Sequence, residues 1–545
     1  MGNENDRAIS RLTGIHQRIS LALQQHYRFF AGAVIVLLLS CALFVVTGII
    51  LNLAYPRDVG YPDSANLLRI SEFLQSGHIY PEINSPPYLV TLYGPMTYVL
   101  LGIPFSLARA IGLSPDILVR LAEVGTLSLC VLFVFLISRS LYASRLTGWL
   151  CCLFALSATY LASWGTQVRG DLQATAFSLS AIWLALMPEG PVQLVGSAAL
   201  AGLAILTKQT YVAVPTAVVC WHLLSRRYRQ GALWAAVWIS TIALVYGVVL
   251  WREPLLIEHL AALGHPLFEY KGAVKILGDA ALQPVVPFAA LGAFAWLSGR
   301  DSRKLQFAMY ALVSWLVAII TIPQVGGGMN YFQEPLLVSS VLAGAGLIRL
   351  QQSVQRTPAL VALALMVLLL RAFLPVFYGN VTSLRGAWSY VDPKAYATRT
   401  RKREWNSFVA MLSGRRLLST LPDVAVHSTT PEIPDPYLNT VLEIRGIWNS
   451  APVAARIDAD VYDLIVLRKG EAAGRVEFYR GLPRWNDKMW RALLRAYKPF
   501  CEFENMEVWL PDKRPSPVIS QLSTVGCHPG AGPLVDYGDP TVQFQ

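Results

Sequence analysis

Apolar runs, each about long enough to cross a bilayer, dominate the chain from residue 29 to residue 378. A hydrocarbon core of ~30 Å takes about 20 helical residues. Segments 30–53, 231–251 and 357–378 have that length with almost no charge. The first run begins near Phe29 and no small-residue cleavage site follows it, so it reads as a retained helix and not a signal peptide. Further apolar segments at 116–137, 146–163, 172–187, 192–207, 210–224, 281–298, 305–323 and 332–350 bring the expected crossings to about eleven.

From Gly379 the pattern changes. Pro431, Pro434 and Pro436 mark turns, YDLIVL at 462–467 and FENMEVWL at 503–510 read as strands, and 488–498 reads as a helix. The expected fold is therefore an α-helical polytopic membrane protein with a C-terminal extracytoplasmic α/β domain. Its parts would be a cytoplasmic segment 1–28, a transmembrane domain 29–378, the α/β domain 379–527 and a flexible Gly/Pro-rich tail 528–545. No repeat of fixed period is present, which excludes a solenoid.

Composition agrees with the membrane assignment. Of 545 residues 54% are hydrophobic and 14% charged, against about 25% charged in soluble domains. The net charge of +11 does not point to nucleic acid, because the basic residues sit in short loops between apolar runs, where they report orientation. Arg7, Arg11, Arg18 and Arg28 put the N-terminus in the cytoplasm, as do the clusters at Arg139/Arg145, Arg226/Arg227/Arg229, Arg300/Arg303/Lys304 and Arg349/Arg356 for their own loops. For the Arg139 cluster to be inside, one of the segments 89–111 and 116–137 must fail to cross. Pro95, Pro104, Gly94 and Gly102 favour a broken 89–111 lying along the outer face; the alternative is an irregular 116–137. The outer loops are then 55–115, 164–171, 252–280 and 324–331. Five cysteines lie in apolar runs as packing residues, whereas Cys501 and Cys527 could form a disulfide if the tail is extracytoplasmic.

Charges at the bilayer boundary are costly without a partner or a role, and on this topology they collect on the outer side. Asp58 and Asp63 follow the first helix, and Asp63 or Ser64 could cap the amphipathic segment 64–75 or act on a substrate. Arg169 and Asp171 in WGTQVRGDLQA could form a local ion pair or touch substrate. Lys208 in LTKQTYVAVP has no acid near it in sequence; it suits a phosphate, or it could snorkel to headgroups. Segment 252–280 holds Glu258, His259, His265, Glu269, Lys271, Lys275 and Asp279 without metal-ligand spacing, and reads as a solvated, mobile loop. In GGGMNYFQEPLL, glycines precede Asn330, Tyr331 and Glu334, the last about one turn into the membrane.

In this order the segments YPDSANLL, SPPYLVTLYGPMTYVLL, VRGDLQATAFSLSAIWL, LAILTKQTYVAVP and NYFQEP resemble the GT-C class of membrane glycosyltransferases. That class includes protein O-mannosyltransferases and bacterial lipid A aminoarabinose transferases. The resemblance covers roughly residues 28–380. It implies inverting transfer of a sugar from a polyprenyl-phosphate donor to a glycan, lipid or protein acceptor at the outer face of a bacterial inner membrane. Asp63 would be the base, with Asp58 as rival because Ser64 stands where several members have an acid. Arg169, Lys208 and the Lys271/Lys275 pair would steady the leaving phosphate, and Asp171, Asn330, Tyr331 and Glu334 would complete the substrate site. A divalent metal is possible, although no strong ligand set is visible. The rival classes are a transporter or flippase of a lipid-linked substrate, which should have paired broken helices in two matching halves, and a membrane-anchored assembly protein.

Overall fold

The computed structural model describes residues 34–53, 63–263, 270–354, 396–469 and 487–527, together with Gly32 and Phe268, apart from 89, 189, 298, 300, 325–326, 429, 433–437, 504–505 and 526. The N-terminal part is a stack of helices. In chain order they are α1 (Val34–Leu53), α2 (Asp63–Ser76), α3 (Pro95–Ala110), α4 (Pro115–Tyr142), α5 (Arg145–Leu156), α6 (Leu161–Trp164), α7 (Asp171–Ala185) and α8 (Pro191–Thr207). Then come α9 (Ala213–Leu224), α10 (Tyr228–Arg252), α11 (Leu256–Leu263), α12 (Tyr270–Ala281), α13 (Val285–Leu297), α14 (Ser302–Thr321) and α15 (Gln333–Val354).

Among the described residues, α1, α4, α10, α14 and the stretch Met329–Arg349 are long and apolar enough to cross a membrane, and α12 with α13, bent by 78°, make a sixth candidate. α5, α8 and α9 are apolar but shorter; the 12 residues of α9 rise about 18 Å, well short of the hydrocarbon thickness. The segment 357–378 lies outside the described residues. α4 runs unbroken for 28 residues, with Pro115 in its first turn and Ala143 left-handed at φ 53° closing it. By contrast α3 has 16 residues and contains Pro104. The apolar run 146–163 is not one helix: it ends at Leu156 and resumes as the single turn α6. α13 and α15 pack backbone to backbone, since a Cβ on Gly292 would lie 2.0 Å from the Leu342 carbonyl oxygen.

The C-terminal part is built on a five-stranded sheet ordered β2-β1-β3-β5-β4, with β1 Arg416–Ser419, β2 Thr430–Glu432, β3 Leu464–Arg468, β4 Tyr497–Phe503 and β5 Met506–Pro511. β1 pairs in parallel with β2 and β3, and β5 runs antiparallel to β3 and β4. The apolar stretch 503–510, expected as one strand, instead takes in the last residue of β4 and most of its antiparallel neighbour β5. Alternation sorts the side chains: Leu417, Leu464, Val466 and Val508 face Trp405 and Phe408, while Leu418, Ile465, Leu467 and Trp509 face Met489 and Trp490. A disulfide joins Cys501 of β4 to Cys527, Cα to Cα 5.5 Å.

Both faces of this sheet also bury residues of the helical part. Leu68 of α2 enters the first cluster, and Ile83, Tyr88, Val90 and Ala262 enter the second. The Asn84 side chain receives the Asn449 amide at 2.9 Å, and Tyr88 meets Trp448 edge-on at 6.4 Å. The α/β part is thus docked on α2 and on the loop that follows it.

Candidate active site

α2 places the first acid. From Asp63 to Ser71 every residue of this helix is buried. Asp63 Oδ1 accepts the Val168 amide at 3.0 Å, and the Asn66 side chain donates to the Val168 carbonyl at 2.6 Å. One residue ahead of α7, Val168, is therefore gripped at both its backbone groups by the first turn of α2. Arg120 of α4 stands 3.9 Å from Asp63 Oδ2 and donates to the Asn52 carbonyl at 3.2 Å.

α7 and α8 place the second. Asp171 begins α7 and is fully buried; its Oδ1 accepts from Lys208, the residue that caps α8, and from Asn330 Nδ2 at 3.1 Å. The Lys208 ammonium also lies over the Tyr331 ring, 4.6 Å from its centre, and 5.8 Å from that of Tyr93. Gly94 permits this arrangement: its amide donates to the Thr207 carbonyl at 3.0 Å, and a Cβ there would collide with the Leu206 carbonyl at 2.0 Å. Between the two acids lies Glu123 of α4, within electrostatic reach of both. Its Oε1 accepts from Gln173 at 2.7 Å and from the Arg169 amide at 3.3 Å.

Several buried polar atoms here have no hydrogen-bond partner among the described residues: Asp171 Oδ2, Asn330 Oδ1, Glu123 Oε2, Gln173 Oε1 and Arg169 Nε. Each such atom costs on the order of 1–3 kcal/mol when left without water or ligand. Their concentration around one set of acids and cations is the arrangement a polar substrate would complete.

The loop after α2 is held by a separate latch. Glu253 accepts the Ile79 and Tyr80 amides, each at 2.7 Å. His259 is fully buried: its Nδ1 accepts the Thr91 amide at 3.0 Å, so the proton sits on Nε2, which donates to the Pro81 carbonyl at 2.7 Å. Burial, helped by the Arg69 charge and opposed by the Pro81 bond, pushes His259 down to about 4.

The sequence matches no protein-family model and no curated protein. The structure does have counterparts. ArnT of Cupriavidus metallidurans bound to undecaprenyl phosphate superposes with a TM-score of 0.56 at 14% identity, over 90% of this chain and 98% of that one. The same enzyme in the apo state gives 0.57 at 15% identity with the same coverage. The oligosaccharyltransferase of Archaeoglobus fulgidus in its apo form gives 0.51 at 11%, over 89% of this chain and 75% of that one. The fold is that of the GT-C class of membrane glycosyltransferases.

Within this GT-C fold, Asp171, Lys208, Asn330 and Tyr331 come together, and Arg169 and Asp63 adjoin them through Glu123 and Val168. Two expectations fail. Lys208 is not unpaired, because Asp171, 37 positions earlier, neutralises it. No ion pair joins Arg169 to Asp171 among the described residues; the Arg169 guanidinium instead stacks on Trp164 at 4.5 Å. Glu334, second residue of α15, accepts from the Tyr310 hydroxyl at 2.7 Å. Lys271 and Lys275 lie exposed on α12 and join none of these contacts. Asp58 lies outside the described residues. The segment 252–280, expected to be solvated and mobile, instead contains α11 and α12 and buries Glu253 and His259, since each satisfies backbone groups of the loop 79–91. No group of three or more His, Cys, Asp or Glu side chains that could hold a metal occurs among the described residues.

Arg120 and Glu123 were missed. Their signal was two charges three residues apart inside an apolar helix, which a membrane-buried face rarely tolerates without function.

Proposed function

We propose that this chain transfers a sugar from a polyprenyl-phosphate donor to a glycan, lipid or protein acceptor at the outer face of a bacterial inner membrane, with inversion. Asp63 takes the proton of the attacking acceptor hydroxyl as that oxygen bonds to the anomeric carbon. The bond from the anomeric carbon to the phosphate oxygen breaks, and the polyprenyl phosphate leaves with its charge steadied by nearby cations. Arg169, whose Nε has no partner among the described residues, suits that role better than Lys208, already committed to Asp171. Asn330, Tyr331 and Glu334 line the donor side in this reading, and Lys271 and Lys275 meet the lipid phosphate at the membrane surface.

The observation behind the proposal is the set of unpartnered buried polar atoms around Asp171, Glu123 and Asn330, in a fold whose counterpart ArnT binds undecaprenyl phosphate. The Cys501–Cys527 bridge supports an oxidising, extracytoplasmic location for the α/β part. With it go a cytoplasmic N-terminus and about eleven crossings between residues 29 and 378.

The test is transfer of labelled sugar from polyprenyl-phosphate donors to membrane acceptors. Asp63→Asn should lose ~10²–10⁴-fold in rate at normal membrane levels. Loss in Asp58→Asn alone would move the base five positions earlier, and wild-type protein inactive with every donor would sink the proposal.

A further inference from the structure

Arg69 is a further cation of α2. It belongs to the buried stretch of α2 and is itself buried, yet no carboxylate pairs with it among the described residues. Its Nη1 donates to Asn66 Oδ1 at 3.2 Å. The same Asn66 holds the Val168 carbonyl, and the Val168 amide binds Asp63. Arg69 is therefore tied to the proposed base through the Asn66 side chain and the backbone of one residue, Val168, and lies about 9 Å from it along the helix axis.

The remaining guanidinium nitrogens, Nε and Nη2, are buried and have no partner among the described residues. They are not two arbitrary atoms. Together they form the side-on edge of the guanidinium, whose parallel N–H bonds match two oxygens of one tetrahedral or planar oxyanion. A guanidinium cannot shed its proton to escape burial. An uncompensated one is therefore costly unless an anion arrives. Its charge is also felt at Tyr98 of α3 and at His259 of α11, so it stands where α3, α11 and the loop after α2 converge.

We propose that the Nε/Nη2 edge of Arg69 receives a phosphate group of a substrate. This rests on the glycosyl-transfer reading above. The phosphate comes from the lipid donor or from a phosphorylated acceptor, and the chemistry of recognition is the same.

The full chain in lipid nanodiscs is unfolded thermally with undecaprenyl phosphate, undecaprenol or inorganic phosphate, for wild type, Arg69→Gln and Arg69→Lys. The expected result is a higher midpoint with a phosphate-bearing probe and none with undecaprenol. Arg69→Gln should bind that probe at least tenfold more weakly, with an unliganded midpoint equal to or above wild type because the unpaired charge is gone. Arg69→Lys, which keeps charge but loses the fork, should fall between. A response to undecaprenyl phosphate supports the donor as source; a response to inorganic phosphate alone supports an acceptor. Unchanged phosphate binding by Arg69→Gln, an equal shift by undecaprenol, or no response of wild type to either phosphate would overturn the proposal. If transfer proceeds while Arg69→Gln binds normally, only this inference falls. If wild type neither transfers nor binds lipid phosphate, the glycosyltransferase reading falls with it.

Discussion

Glu432 in the C-terminal sheet and Asp171 at the start of α7 are both buried acids facing a cation, but they differ in how completely they are satisfied. Both Glu432 oxygens are engaged: Oε1 with Arg456, and Oε2 with Arg456 Nε at 3.1 Å and with the Tyr462 hydroxyl. Asp171 uses only Oδ1 and leaves Oδ2 without a partner among the described residues, as its neighbours Asn330 and Glu123 each leave an oxygen. A fully satisfied network rigidifies a core and has nothing left to offer a ligand. A partly satisfied one is tolerated where a ligand or water completes it. The contrast separates a structural ion pair from one held in readiness.

The contrast is most exposed to failure at Lys208. Lys208→Met leaves Asp171 buried without its cation and should cost about 3–5 kcal/mol of stability, read by thermal unfolding in detergent. The double change Asp171→Leu/Lys208→Met should regain most of that stability and still transfer no sugar. If the double variant transferred normally, the pair would be structural after all, and the two regions would not differ.

A third buried group lies between the regions. His259 has both ring nitrogens satisfied only when neutral, and its value falls from 6.5 to about 4 in the folded chain. The unfolded chain therefore binds the extra proton first. The stabilisation is complete above pH 6.5, shrinks as the pH falls, and is gone near pH 4; the interval corresponds to roughly 3 kcal/mol. Protease cleavage within 79–91 should rise over that range, and His259→Phe should flatten the dependence. An identical pH profile in the variant would remove His259 from the latch.

The smallest effect is expected in the sheet. Glu432→Gln should lower the stability of the α/β part by about 1–3 kcal/mol and leave transfer at permissive temperature unchanged. A loss of transfer without loss of stability there would mean that the sheet, too, serves the reaction.

The apolar runs were legible because burial in lipid demands about 20 apolar residues in succession, a purely local requirement. The same locality explains the candidates found: Asp63, Asp171, Asn330 and Tyr331 stand out as polar residues at helix starts. It also explains the errors. Lys208 looked unpaired because its acid lies on another helix. Arg120 and Glu123 were lost in the run 116–137, where hydropathy averages over them. Glu253 and His259 looked like loop residues because the amides they hold are more than 160 positions away. Sequence alone decided that the chain is helical and membrane-bound, and which boundary residues are polar. Which charges are neutralised and which are left for a ligand was decided only when α2, α4, α7, α8 and α15 packed together, because an ion pair depends on distances in space that spacing along the chain does not encode.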